Sequence, residues 1–448
     1  MRGDARGTLV VVVAGAGGAA LVAAGLGPIA VAAVAALGGA LWLARQGVLR
    51  LALGLVLLTT LGAASTVEAW AAASTYGRLA ALALLVVAVL REPAPAGEPS
   101  RSQRWLLGAL LAIAGVATAT ALWSIDVAAT LEQALLLWIL VAVVALASRR
   151  RWRDADVVVG DVRVVVAVVA AVLAAGLAGH ALGLVPLPYG GRFQGLLANP
   201  NMAAQVSTLA IFLSLVVLRR RRSWMAVACL AASVATIVLS ESRTALLAVA
   251  VGVAWMAVLA GARGVVAVVG LVVATGCAAT MLGPSPLRLA LDRFGDAADR
   301  DGLSGRSSIW AAAVDAIAAR PHGWGWGTTE AVLAGAHRAG ATRELAQSFH
   351  GSVLQVAVEG GLLAAALLVV AYAATVAPML RLRAHAVPAA LSGLVAAGIV
   401  AQVSESGVFG TGQPFPYLFW FGVAALLGLD DAARRGATVP DARRLVAR

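Results

Sequence analysis

The stretch NMAAQVSTLAIFLSLVVLRRRR, residues 201–222, decides the fold class. Its first 18 residues carry no charged side chain, and its last four are arginines. A helix needs about 20 mostly apolar residues to cross about 30 Å of hydrocarbon, and arginine collects at the cytoplasmic ends of such helices. The stretch therefore predicts a membrane-spanning helix that ends at the cytoplasmic surface.

The same composition extends over the whole chain of 448 residues, of which 61% are hydrophobic and 12% charged. Soluble domains have about 45–50% apolar and about 25% charged residues, so the composition excludes a soluble protein. Every basic residue is an arginine, and cytoplasmic loops explain the net charge of +12 without a nucleic-acid partner. Cys229 and Cys277 both lie in apolar stretches, so we expect no disulfide, no metal site and no cofactor.

Repeated apolar stretches predict an all-α polytopic membrane protein with 12–14 spanning helices, most simply fourteen. The candidate spans are 8–26, 28–44, 49–65, 69–90, 105–123, 129–147, 163–184, 201–218, 224–240, 244–260, 265–283, 351–378, 387–403 and 415–428.

The arginines test this arrangement. With the N-terminus in the cytoplasm and strict alternation, 24 of the 34 arginines fall on the inside, including the runs at 149–153 and 219–222. Seven of the remaining ten lie in one long segment, 284–350, and long loops translocate largely regardless of charge. We therefore predict an inner-membrane protein with both termini cytoplasmic and one large extracytoplasmic helical loop.

The predicted organisation has four parts. Residues 1–91 form a four-helix segment, 92–104 a Pro-rich cytoplasmic linker, 105–428 a transmembrane core that includes loop 284–350, and 429–448 a cytoplasmic tail.

Ionisable side chains are scarce at the span centres and collect at their predicted outer ends, as expected for an enzyme acting on a membrane-anchored substrate. The candidate residues are Arg192, Asn199, Asn201, Arg243, Arg306 and His350. Guanidinium groups suit a phosphate or diphosphate because their planar fork bonds two oxygens at once. A histidine at a helix start suits a general base. Each residue also has a simpler interpretation. Arg192 can contact headgroups, Arg243 can be part of a polar hairpin tip and pair with Glu241, and Arg306 can be a surface charge. The asparagines can cap a helix, and a loop histidine is often structural.

Four stretches resemble the O-antigen ligase / O-antigen polymerase family of bacterial integral membrane glycosyltransferases. They are Arg-Phe-x-Gly followed by Asn-Pro-Asn at 192–201, Ser-x-Arg-x-Ala at 240–247, Gly-Arg, Trp and Pro-x-Gly-x-Gly at 305–327, and His followed by Glu-x-Gly at 350–361. WSIDVAATLEQ at 123–133 is similar to the family's Trp-Ser-x-Asp stretch, and the likeness covers about 120–375.

The resemblance implies a glycosyltransferase-C-like helical bundle and metal-independent transfer of a glycan from undecaprenyl diphosphate. It implies that Arg192 and Arg243 hold the diphosphate, that Arg306 assists or orders the loop, and that His350 activates the acceptor hydroxyl. Asn199 and Asn201 are expected to help bind substrate. The family usually has Asn after the histidine, whereas this chain has Gly351, so Gln347 or Gln355 would have to replace that amide.

The function expected from the sequence is therefore transfer of a lipid-linked glycan to a glycan, lipid or protein acceptor, by a ligase or a polymerase. Sugar, acceptor and oligomeric state stay open. The alternative is a transporter or lipid-linked glycan flippase, which would need charges lining a path through the bilayer centre. A third possibility is a bundle that only recruits other envelope enzymes.

Overall fold

The computed structural model describes residues 47–93, 97–185, 187, 191–260, 306–342, 346, 348–410 and 412–436. The predicted spans 8–26, 28–44 and 265–283, the first part of loop 284–350, and residues 437–448 of the predicted tail lie outside the described residues. Within the described ranges the secondary structure is helical, apart from an isolated β-bridge between Ser65 and Leu197.

The described residues form thirteen α-helices, numbered here in chain order. They are α1 Val48–Ala63, α2 Glu68–Leu90, α3 Arg101–Ala119, α4 Val127–Arg150, α5 Ala155–Ala181, α6 Pro200–Leu218, α7 Trp224–Ser240, α8 Arg243–Ala260, α9 Arg306–Ala319, α10 Thr329–Arg338, α11 Ser352–Arg381, α12 Ala386–Ser404 and α13 Pro414–Arg434.

Each of the eleven predicted spans within the described residues coincides with a helix. Seven helices are long and apolar enough to cross a membrane: α3, α4, α5, α6, α11, α12 and α13. Helix α2 is bent by 47° and would be an eighth span, while α1, α7 and α8 are apolar but shorter. The multi-pass, all-helical prediction is confirmed, whereas the count of fourteen stays a prediction.

Consecutive spanning helices alternate in direction, so their arginine-rich termini meet at one end of the bundle. Arg150, at the end of α4, donates to the carbonyl of Leu90, at the end of α2, over 2.8 Å. Arg220, just after α6, pairs with Asp156, at the start of α5, over 3.3 Å. We call this the arginine-rich end. The segments that contain Arg192, Arg243 and His350 lie at the opposite end, at the other termini of these helices.

A buried aspartate organises the arginine-rich end. Asp161 in α5 has a side chain that is 0% exposed, and it accepts hydrogen bonds from Arg50, Arg151 and the indole of Trp152 at 2.9–3.0 Å. Burial by itself lowers the pKa of Arg151, but the hydrogen bonds and charges of Asp161 and Glu92 outweigh it and raise that pKa above its ordinary value. Arg50 lies in the first turn of α1, Arg151 directly follows α4, and Asp161 itself belongs to α5. This carboxylate therefore connects three helices.

Two adjacent aspartates near the end of α13, Asp430 and Asp431, connect this helix to α11 and α3. Asp430 accepts both arms of Arg381 from α11, at 2.8 and 2.6 Å, and Arg381 also donates to Ser102 in α3. Asp431 accepts the backbone N–H of Ser100, the N-cap of α3, at 3.1 Å. Ionic hydrogen bonds of this kind satisfy charges that would be costly to bury alone.

Helix α11 is broken at Gly361, where φ is 79° and ψ is 177°. In an unbroken helix the N–H of Leu362 would donate to the carbonyl of Val358. Here it donates to Pro321, in the turn after α9, and Val358 instead accepts from Trp324. The break thus exchanges helical hydrogen bonds for bonds to the α9–α10 connection.

The same connection contacts the turn after α3. Gly325 donates to the carbonyl of Glu359, the Trp123 indole donates to the carbonyl of Gly323, and Ile125 donates to Trp324. Three of the sequence motifs, at 123–126, 321–327 and 359–361, therefore form one backbone junction, which fixes α9 relative to α11 and places the start of α9 beside His350.

The buried carboxylate of Asp161 is expected to contribute strongly to stability. Asp161→Asn keeps the side-chain shape but removes the buried carboxylate that pairs with both Arg50 and Arg151, and leaves Arg151 with Glu92, so we expect a loss of about 3 kcal/mol. Thermal unfolding of the detergent-purified chain, followed by tryptophan fluorescence, measures this. The control is Asp156→Asn, whose side chain is 64% exposed and makes one ion pair, and it should cost less than about 1 kcal/mol. Equal losses in both variants would contradict this account.

We expect that the junction has no room for a side chain at position 361. A Cβ there would lie 2.7 Å from the carbonyl carbon of His322 and from the carbonyl oxygen of Pro321, and the positive φ adds strain. Gly361→Ala should therefore destabilise the protein by about 2 kcal/mol or more in the same unfolding measurement. In Gly115→Ala, where a Cβ meets nothing within 4 Å inside a helix, stability should be unchanged or slightly raised. An unaffected Gly361→Ala variant would show that the break does not depend on glycine.

Candidate functional site

The segment around Arg192 packs against the tight turn between α7 and α8. Arg192 Nε donates to the carbonyl of Ser240, the last residue of α7, over 2.8 Å. The backbone N–H of Phe193 donates to the carbonyl of Leu239 over 3.0 Å. These two bonds fix the Arg192 guanidinium at the tip of the α7–α8 hairpin. Arg243 begins α8 at this same tip, three residues after Ser240.

The two asparagines of Asn199–Pro200–Asn201 have different roles. Asn199 is the N-cap of α6, because its Oδ1 accepts the backbone N–H of Met202 over 2.8 Å. Pro200 occupies the first turn, where its missing N–H costs nothing. Asn201 faces the site: its Oδ1 accepts from Arg192 over 2.8 Å, and its Nδ2 donates to Glu405 over 3.0 Å. The Asn199 cap thus fixes the start of α6, where the Asn201 side chain lies between Arg192 and Glu405.

Glu405 joins the sequence-predicted residues to one another. It follows α12, its side chain is 7% exposed, and its Oε1 accepts from both Asn201 and Arg306, the latter over 2.5 Å. Its Oε2 lies 3.3 Å from Nδ1 of His350. The three partners come from the start of α6, the start of α9 and the segment before α11, so one carboxylate brings together elements that are distant in sequence.

His350 is held in an uncommon backbone conformation. Its φ is 49°, in the left-handed region, which costs a non-glycine residue about 1–2 kcal/mol. Two hydrogen bonds stabilise this turn: the Trp310 indole donates to the His350 carbonyl over 3.2 Å, and the Gly351 N–H donates to Ser406 Oγ over 3.0 Å. The conformation directs the imidazole towards Glu405, and strained backbone of this kind clusters at functional sites.

The pairing with Glu405 determines which imidazole nitrogen is available. When Glu405 is ionised, its oxygens only accept hydrogen bonds, and Nδ1 of His350 then carries the proton that it donates to Oε2. In a neutral imidazole the other nitrogen, Nε2, then carries the lone pair. The His350 side chain is 29% exposed, so a substrate can approach it. This geometry suits proton transfer at Nε2, with Glu405 stabilising the imidazolium that results.

Gln355, one of the two amides expected to replace the residue after His350, bonds to a different side chain here. Gln355 donates to Glu359 over 3.1 Å, and Glu359 also accepts from Thr329 Oγ1 at the start of α10, so both belong to the contact between α10 and α11. Gln347 lies outside the described residues. The group that orients the imidazole is Glu405 instead.

Sequence reasoning missed Glu405. Glu405 is a lone charge in the connection between predicted spans 387–403 and 415–428, and no spacing rule links it to His350. The available signal was its position: a carboxylate at the same predicted end of the bundle as the arginines. Within the ranges that the structure describes, no three His, Cys, Asp or Glu side chains converge as metal ligands.

The structure therefore brings Arg192, Asn201, Arg306 and His350 into one hydrogen-bonded network around Glu405. Arg243 lies on the hairpin that carries the Arg192 contact, and Asn199 acts as a helix cap.

Comparison with known protein families gives a match over residues 228–369 to the family model described as O-Antigen ligase. A comparison with curated proteins found no match. The matched range includes Arg243, Arg306 and His350, while Arg192 and Glu405 lie outside it. The match agrees with the motifs at 240–247, 305–327 and 350–361, and it shows that this part of the chain is similar to the O-antigen ligase family.

Proposed function

We propose that this chain transfers a glycan from undecaprenyl diphosphate to an acceptor hydroxyl on the outer face of the cytoplasmic membrane. The observation that carries the proposal is the contact between Glu405 and His350 Nδ1, beside Arg306 and the Arg192–Asn201 pair. This contact makes His350 a candidate base that acts through Nε2, and it lies near the positive charges of Arg306 and Arg192. The O-antigen ligase match supports glycosyl transfer in general, and the donor, acceptor and membrane face are our inference.

The distribution of charge supports the proposed membrane face. Arg150 and Arg220 lie at the arginine-rich end, and arginine-rich loops stay in the cytoplasm. The network around Glu405 lies at the other end of the bundle, which would then face the extracytoplasmic side. An acceptor and a lipid-linked donor would both reach it from the outer leaflet.

Arg192 and Arg243 are the proposed donor-binding groups. Arg192 is fixed by the Ser240 carbonyl and by Asn201, so its guanidinium does not need to reorganise when a diphosphate arrives. Negative charge grows on the diphosphate as its bond to the sugar breaks, and fixed cations lower the energy of that transition state. Arg306 is bonded to Glu405, so its proposed role is to hold the start of α9 and the imidazole partner in place.

The proposed reaction transfers one proton and replaces one bond at the anomeric carbon of the donor. Nε2 of His350 accepts the proton of the acceptor hydroxyl, and the oxygen forms a bond to the anomeric carbon of the donor. The bond between that carbon and the diphosphate oxygen breaks, and lipid diphosphate leaves with the electron pair. The imidazolium charge is balanced by Glu405 until the proton passes to water or to the departing diphosphate. This chemistry as written uses side chains only, and independence from metal ions stays a prediction.

Ligase and polymerase reactions share these steps and differ only in the acceptor. A polymerase extends another lipid-linked repeat, so its products lengthen on the lipid, whereas a ligase moves the glycan to a different molecule. Analysis of the products made in proteoliposomes separates the two.

Removing either donor-binding arginine is expected to abolish turnover. We predict that Arg192→Ala and Arg243→Ala each lower the release of lipid diphosphate at least about 100-fold in proteoliposomes supplied with a glycan on undecaprenyl diphosphate. Arg221→Ala, at the arginine-rich end, is the charge-matched control and should retain activity. Thermal unfolding of each variant checks folding. Full activity in both variants would refute the arginine assignment, and movement of the intact donor across the bilayer without diphosphate release would favour a flippase.

Glu405 is expected to act through His350. Glu405→Gln should lower turnover about 100-fold or more, because the amide does not balance the imidazolium charge and no longer fixes the Nδ1 proton. His350→Ala should lower it at least as much, and the double variant should be no slower than His350→Ala alone, since residues that act as a unit are not additive. Partial recovery in Glu405→Asp would support a charge effect. Multiplied losses in the double variant would show that Glu405 has only a structural role.

A further inference from the structure

A groove lies between α3 and α11 towards the arginine-rich end of the bundle, separate from the network around Glu405. The groove is open along its length, and its volume is about 650 Å³. Arg101, Arg104 and Trp105 line it on the first turns of α3, and Gly108 lines it one turn further along. Leu367 and Val370 of α11 form the facing wall.

The lining changes from charged to apolar along the groove. Arg101 and Arg104 are exposed at the start of α3, Trp105 is 58% exposed beside them, and the remaining lining residues are small or aliphatic. Tryptophan favours the headgroup level of a membrane, because its ring is amphipathic. A molecule that fits this gradient has an anionic head and an apolar tail.

The space depends on a glycine. A Cβ built on Gly108 meets nothing within 4 Å, so the helix surface is open there. Ala109 is the next residue of the wall and is also small. A larger side chain at 108 would therefore extend from this open surface into the groove.

The charges at the mouth are weakly balanced by the protein. Arg104 pairs with Glu98 over 2.8 Å, but the two side chains are 54% and 85% exposed, and exposed pairs of this kind contribute little. Within the residues that the structure describes, Arg101 makes no ion pair. Both arginines occupy the first turn of α3, where the positive end of the helix dipole disfavours cations. A bound anion would offset both the repulsion and the dipole.

We propose that this groove binds an anionic glycerophospholipid. Arg101 and Arg104 bind its phosphate, because guanidinium groups bond two phosphate oxygens at once. Trp105 contacts the glycerol region, and one acyl chain lies along Gly108 and Leu367. Basic pockets between spanning helices are recognised sites for anionic lipid headgroups.

The lipid would join α3 to α11, the helix that leads from His350 to the arginine-rich end. The groove is therefore positioned to support the packing of α11 without contacting the network around Glu405.

Native mass spectrometry of the full, detergent-purified chain titrated with phosphatidylglycerol tests the proposal, with phosphatidylcholine as the zwitterionic comparison. The double variant Arg101→Ala/Arg104→Ala should weaken phosphatidylglycerol binding about tenfold or more. The double variant Arg221→Ala/Arg222→Ala removes the same charge from exposed arginines at the same end and should bind as the original chain does.

Two further variants separate shape from charge. Gly108→Leu should also weaken binding about tenfold because it fills the groove, whereas Gly115→Leu, on the same helix and equally open, should not. Glu98→Gln should strengthen binding a few-fold, about the effect of one charge near the headgroup. Equal losses in the two arginine double variants would overturn the proposal in favour of general surface attraction. Tight binding by Gly108→Leu, or no preference for phosphatidylglycerol in the original chain, would also overturn it.

Discussion

The Glu405 carboxylate is the contact on which the geometry of the candidate site depends. It is buried, and it makes hydrogen bonds with the start of α6, the start of α9 and the histidine before α11. A buried carboxylate is stable only when its oxygens are satisfied, so this requirement holds all three elements in register. The same bonds orient the imidazole and position Arg306 and Asn201, and Asn201 in turn accepts from Arg192.

The arginine-rich end solves the same physical problem in a different way. There Asp161, Asp430 and Asp431 each collect arginines or backbone donors from several helices. Between the two ends the bundle is largely apolar, because a charge in hydrocarbon is expensive. Polar interactions are therefore concentrated where the helices terminate. At the arginine-rich end these interactions hold the helices together. At the opposite end they bring together His350, Glu405 and the arginines of the candidate site.

The motifs that resemble the O-antigen ligase family fall into two groups with different structural roles. Those at 123–126, 321–327 and 359–361 meet as a backbone junction in which the break at Gly361 releases hydrogen bonds to the α9–α10 connection. Those that contain Arg192, Arg306 and His350 meet as a polar network around Glu405. The first group fixes α9 against α11 and so places Arg306 within reach of Glu405. Loss of either group would displace the imidazole partner.

Sequence alone was sufficient for the class of the protein: helical, membrane-embedded, with arginine runs at alternate connections. Length, hydropathy and charge act locally, so each span could be found without knowledge of its neighbours. The motif residues Arg306 and His350 were found in the same way. Glu405 could not be, since its contacts to His350, Arg306 and Asn201 cross 55, 99 and 204 residues and arise only when the helices pack. The break at Gly361 likewise had no visible cause until the connection that replaces its hydrogen bonds was placed beside it.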